Sequence, residues 1–145
     1  MRGDRAAVAA LREACARLQV HGHDVLTAHL LRDEVEALES SLDERDVYER
    51  DIRWLTACDA LVADASGSSF GVGFEVGYVL ARAPQSGQRV YLLYDVGRAP
   101  HISRMIVGNS DPHCTTFAYA SPDQLLDFVD RQFSPASRRG VLSPP

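Results

Sequence analysis

The sequence predicts an α/β fold built on a mostly parallel sheet covered on both faces. Three observations predict it. Apolar runs of strand length alternate with longer segments of helical period. Cys58-Asp-Ala-Leu-Val-Ala-Asp64 is apolar at its centre and ends in an acid, the pattern of a strand buried on both faces. A Gly/Ser-rich loop then leads into a helix, and ligands of such sheets sit beyond the carboxyl ends of the strands.

The elements follow in order. Val8, Leu11, Cys15 and Leu18 recur at spacings of three and four, which predicts a helix over 5–20 that stops before Gly22. Asp24-Val-Leu-Thr-Ala-His29 reads as a short strand. The charge-rich stretch 30–42 fits either a helix or an excursion over a pocket. A helix is predicted over 43–57, a buried strand over 58–64, and a second helix from about Val72 to Arg82. Gln88-Arg-Val-Tyr-Leu-Leu-Tyr94 is the clearest strand. A short helix over 101–108 and a strand over Cys114–Tyr119 come next. Ser121-Pro-Asp-Gln opens the last helix, with Ser as N-cap, Pro in the first turn and Asp near the positive end, and it runs to Phe133. Residues 1–133 therefore read as one domain. The Pro/Ser/Arg-rich stretch 134–145 reads as a disordered tail.

The 145 residues suffice for one core, and 46% apolar with 24% charged residues is an ordinary globular balance. Fifteen Lys and Arg against 20 Asp and Glu give a net charge of −5, which argues against a broad nucleic-acid surface but allows a small nucleotide pocket. No apolar run has the length of a membrane span, and no signal-peptide stretch opens the chain. The three cysteines, Cys15, Cys58 and Cys114, lack metal-ligand spacing, which fits reduced thiols in a cytoplasmic protein.

The chemistry concentrates after Asp64. Gly67, Gly71 and Gly73, with Ser66, Ser68 and Ser69 among them, let the backbone approach a ligand, and the following helix aims its free N–H groups and positive dipole end at the same place. A phosphate suits that place. Glu75 falls in the first turn of the predicted helix, where the dipole favours its carboxylate form. That form suits a nucleophile. On the loop alone, a glutamate that merely complements the dipole fits as well.

Asp51 supplies a second carboxylate. On the helix 43–57 it stands four after Val47, three before Trp54 and four before Leu55, inside the apolar stripe. A carboxylate there needs a partner, such as a neighbouring Arg, or a task. An acid beside an ionised glutamate is the arrangement that glycosidic cleavage requires.

His29, Tyr48-Glu-Arg-Asp51-Ile-Arg-Trp-Leu, Ala57-Cys-Asp-Ala-Leu-Val-Ala-Asp64 and Ser69-Phe-Gly-Val-Gly-Phe-Glu75-Val-Gly together resemble the nucleoside 2-deoxyribosyltransferase superfamily, and within it the 2′-deoxynucleoside 5′-phosphate N-hydrolases. The resemblance runs from about Arg2 to Phe133. It implies a flavodoxin- or Rossmann-like three-layer sandwich. The implied reaction is hydrolysis of a deoxynucleoside monophosphate to free base and 2-deoxyribose 5-phosphate. By matching positions, Glu75 would form the glycosyl-enzyme intermediate. Asp51 would orient the sugar and serve the leaving base as acid. Arg2, Ser69 and the Gly71 backbone would hold the phosphate, with Gly73 and His29 lining the pocket. Ser103 would reach the phosphate in the neighbouring subunit of a homodimer. No metal or organic cofactor, nucleic acid or membrane is implied.

The family opens with a strand ending in Tyr-Phe-Cys-Gly-Ser-like residues, whereas this sequence starts at Met1-Arg2-Gly3. A sheet lacking that strand, with an incomplete phosphate site and impaired activity, is one expectation; a start assigned too late is the other. The residues also leave open a transferase acting on free nucleosides, a ribonucleotide hydrolase, and a nucleotide-binding module without catalysis.

Overall fold

The computed structural model describes residues 5–28, 40–67 and 69–135. Contacts divide the chain into two compact units, Met1–Ser40 with Ser121–Pro145, and Ser41–Ala120.

In the first unit, helix α1 (Arg5–Val20) packs against the last helix of the chain, Pro122–Phe133. Ala10, Ala14 and Cys15 of α1 are buried, as are Leu125, Phe128, Val129 and Phe133. Removing such apolar surface from water is the main driving term for pairing amphipathic helices. Polar ties fix the register. Arg17 and His21 both donate to Asp130, His21 Nε2 at 2.8 Å. His23 Nε2 donates to the Phe133 carbonyl at 2.8 Å. Helix α1 stops at Gly22, whose φ of +84° is costly for any residue with a Cβ.

The expected strand at 24–29 is not formed over 24–28. The Ala28 N–H instead closes onto the Val25 carbonyl at 3.1 Å, a turn in which the backbone satisfies itself and leaves no ladder for a partner strand. His29 lies outside the described residues.

The second unit runs α2 (Glu44–Ala57), β1 (Ala60–Asp64), α3 (Phe70–Ser86), β2 (Arg89–Asp95), a 3₁₀ turn (Val96–His101), α4 (Arg104–Val107) and β3 (Cys114–Tyr119). The three strands pair in the order β1-β2-β3, all parallel. This is the α/β class, with the parallel Rossmann-like sheet, that the sequence predicts. The helix Pro122–Phe133, α5, begins as expected at Ser121, whose hydroxyl accepts the Gln124 N–H at 3.3 Å.

Strand register explains the core. Val90, Leu92 and Tyr94 alternate onto one face, where Leu55 of α2 and Val76 and Val79 of α3 cover them together with Ala63. Leu93 points to the opposite face with Asp64 and Phe117 beside it in register. Gln88, only 4% exposed, is a buried polar bracket: its Nε2 donates to the Leu55 and Cys58 carbonyls, each at 2.8 Å, and so ties the end of α2 to the start of β2.

Helix α3 begins two residues earlier than predicted and ends later. The glycines at 71, 73 and 77 suggest a loop by propensity, but Val72, Val76, Val79 and Ala83 carry a helical stripe into the core, and that packing outweighs the glycine cost of roughly 1 kcal/mol each. The helix stops at Gly87, φ +74°, whose N–H bonds the Ala83 carbonyl at 2.9 Å.

Candidate active site

The site gathers where β1 hands over to α3. Ser69 is the N-cap of α3, exposed, and its hydroxyl makes no capping bond. The first intrahelical donor is Gly73, whose N–H bonds the Ser69 carbonyl at 3.2 Å. The N–H groups of Phe70, Gly71 and Val72 are thus the open donors of this end, where the dipole favours an anion. The Gly71 amide is among these donors. Gly73 offers no amide, but space: a Cβ built on it meets nothing within 4 Å.

Glu75 is the sixth residue of α3, in the second turn rather than the first. The expectation that the dipole holds it as a carboxylate is corrected accordingly. Its carboxyl is pushed above the ordinary glutamate range, first by burial and then by the negative charge of Asp51. The dipole effect fades within the first turn, so desolvation wins. The two candidate catalytic carboxyls, one on α2 and one on α3, therefore feel each other.

Asp51 is partly exposed rather than sealed in the apolar stripe, and Arg50 Nε donates to its Oδ1 at 2.9 Å. Arg50 in turn lies over the Trp54 ring, 4.7 Å from its centroid. An ion pair thus accounts for an acid on that face of α2. Aromatic contacts align α2 with α3 around the pair. Phe74 lies 6.4 Å from Tyr48 and stacks on Tyr78 at 6.3 Å, and the Tyr78 hydroxyl lies 3.1 Å from Thr56 Oγ1. Tyr78 therefore braces the helix pair.

Ser103 is exposed and caps α4 without a side-chain bond; its carbonyl accepts from Ile106 and Val107. Arg2 lies outside the described residues, as does His29. Among the described residues, no three His, Cys, Asp or Glu side chains converge as a metal ion would require.

One set of residues escaped sequence reasoning. Tyr119 at the end of β3 donates to Asp64 Oδ2 at 2.6 Å, and Asp64 Oδ1 accepts the Ser66 N–H at 2.8 Å. Asp64, the acid that ends the strand, thus orients the loop backbone at Ser66. Its tyrosine partner 55 positions away becomes visible only through strand register.

An α/β sheet with a helix N-terminus at a strand end, and with two carboxyls on neighbouring helices close enough for the charge of one to act on the other, suits an anionic ligand such as a phosphate. A family model for nucleoside 2-deoxyribosyltransferase matches residues 2–111. The chain is 38% identical over 130 residues to "Putative 2'-deoxynucleoside 5'-phosphate N-hydrolase 1" of Thermofilum pendens, covering 90% of this chain and 87% of the relative. It is 36% identical over 110 residues to a protein of the same name from Nematostella vectensis, covering 74% and 71% of the two chains. It is 32% identical over 111 residues to the 5-hydroxymethyl-dUMP N-hydrolase of Danio rerio, covering 76% and 74%. The chain belongs to the nucleoside 2-deoxyribosyltransferase family. Among the described residues, no helix is long and apolar enough to cross a membrane.

Proposed function

We propose that this protein hydrolyses the N-glycosidic bond of 2′-deoxynucleoside 5′-monophosphates, releasing free base and 2-deoxyribose 5-phosphate. The observation that carries the reading is the placement of two carboxyls on the packed helices α2 and α3, with Glu75 one turn inside the helix end whose amides stand open and within reach of the Asp51 charge. Relatives named as deoxynucleotide N-hydrolases support the substrate class.

In this reading Glu75 attacks the anomeric carbon and forms a glycosyl ester as the base leaves with the bonding electrons. Asp51 orients the sugar through Oδ2, Arg50 holding its Oδ1, and serves the base as acid in the state in which Glu75 is ionised and the one proton the two carboxyls share sits on Asp51. Water then cleaves the ester. The transition state carries positive charge at the anomeric carbon, and a carboxylate beneath it stabilises that charge. Ser69 and the Gly71 N–H hold the 5′-phosphate, with Arg2 as its cation and Gly73 and His29 lining the pocket.

Ser103 completes the site of a second copy in a homodimer. In support, Phe70, Phe74 and Tyr48 on α2 and α3, and Met105 two residues after Ser103, are left exposed, Phe70 at 99% and Met105 at 85%, apolar surface that a second copy would cover. The protein works in the cytoplasm, where its thiols stay reduced.

Release of free base from deoxynucleoside monophosphates, absent with the matching nucleosides, tests the assignment. Cleavage of nucleosides alone, with transfer of the sugar to a second base, would reject it for the transferase.

A further inference from the structure

The carboxyl ends of all three strands converge on one residue. Asp64 ends β1, Asp95 ends β2 and Tyr119 ends β3. Asp95 donates its N–H to Ser66 Oγ at 2.8 Å. The Tyr119 hydroxyl lies 3.3 Å from the same oxygen and donates to Asp64 Oδ2 at 2.6 Å, while Ser66 returns its N–H to Asp64 Oδ1 at 2.8 Å. With the tyrosine O–H donated to Asp64, the Ser66 hydroxyl is left to donate to the tyrosine oxygen, and the ring of bonds closes.

The sheet ladder does not supply this tie. β2 lies between β1 and β3, so the Tyr119–Asp64 bond reaches across a strand. Asp64, Asp95 and Tyr119 fall on one face by register, and Ser66, two residues beyond Asp64, reaches them through its hydroxyl and amide. Tyr119 is buried, and burial with the neighbouring Asp64 carboxylate drives its phenol well above the ordinary range, so it stays a donor. The Ala65 N–H bonds the Leu93 carbonyl at 2.8 Å, and Arg98 Nε reaches the Ser66 carbonyl at 3.4 Å. Ser66 is thus held from its amide, hydroxyl and carbonyl. Only Gly67 and Ser68 separate it from the N-cap Ser69 and the open amides of α3.

We infer that Tyr119 and Asp64 are positioning residues for the substrate's phosphate: by fixing Ser66 they set where the α3 amides stand. The inference rests on the phosphate site proposed above. A binding site must be held to about 0.5 Å to work, and a loop tied at one end to a three-strand knot meets that demand.

Tyr119→Phe removes one hydroxyl and keeps the buried ring. Losing a hydrogen bond to a charged group is expected to raise KM for the monophosphate about tenfold, with kcat within about twofold. The affinity for inorganic phosphate, measured by calorimetry on the full chain, falls in the same proportion. Ser66→Ala, which opens the ring from its other side, shifts KM and phosphate affinity in the same direction and guards against a folding defect in the first variant. KM and phosphate affinity within twofold of wild type in both variants overturn the inference, as does a fall in kcat alone. If the wild type binds phosphate but releases no base, the hydrolase reading fails, and phosphate affinity alone still decides the role of Tyr119.

Discussion

Gln88→Leu tests how the site's second carboxylate is held. The substitution keeps nearly the same volume in a position 4% exposed but deletes both N–H donors. The Leu55 and Cys58 carbonyls, each bonded at 2.8 Å, lose those donors beside the core. A buried polar group left without its partner costs about 1–3 kcal/mol, so two give roughly 2–6 kcal/mol, with the lower end set by any water that reaches Cys58. For a chain of this size that corresponds to a fall in Tm of roughly 5–15 °C. Leu55 and Cys58 terminate α2, so the loss also loosens the helix that carries Asp51. Gln88→Glu is the sharper variant, since it turns oxygen toward two carbonyls and should destabilise at least as much. Arg45→Ala, which breaks only an exposed pair with Glu49, should cost no more than about 0.5 kcal/mol. Urea unfolding followed by circular dichroism measures all three. A Gln88→Leu protein within 0.5 kcal/mol of wild type would refute the bracket.

Further outcomes follow from the same geometry. Because burial and Asp51 both raise the Glu75 carboxyl, the acid limb of base release lies above the ordinary glutamate range, and Asp51→Asn lowers the Glu75 titration seen by carboxyl NMR; an unmoved titration contradicts their coupling. The Asp130 carboxyl is lowered by the His21 hydrogen bond and by Arg17, so its contribution to stability is present above the unfolded aspartate value and lost as pH falls through the folded one. Asp130→Asn should accordingly flatten the acid dependence of Tm in that window, and an unchanged slope argues against the tie. Leu92→Ala, at a fully buried site under α3, should cost about 2–5 kcal/mol in a urea titration; a loss under 1 kcal/mol would place Leu92 outside the core.

Much of this was legible in sequence because local rules and burial agreed. Ser121-Pro-Asp-Gln marks the start of α5 and Phe133 its last apolar turn, and the structure has both limits. The strands ending at Asp64 and Tyr119 were equally plain. Sequence misled where tertiary contacts outvote local preference. Phe70 and Gly71 read as loop before a helix starting at about Val72, until Val72, Val76 and Val79 are seen to dock on the sheet and carry the helix back to Phe70. The segment 24–28 has strand composition, but its backbone closes on itself. Asp51 was visible as an acid among apolar residues, and Arg50, its ion-pair partner, was adjacent in sequence. The raised carboxyl of Glu75 was not visible, since it depends on helix start and burial together. Nor was Tyr119, whose bond to Asp64 needs the register of three strands.

The central claim is that Glu75 attacks the sugar of a deoxynucleoside monophosphate. Its direct test is free base released from a panel of deoxy- and ribonucleoside monophosphates, wild type against Glu75→Gln. The account predicts release from deoxynucleotides by the wild type and a loss on the order of 10³-fold or more in the variant, which keeps the fold and the phosphate donors. Base release by Glu75→Gln within tenfold of wild type would contradict it.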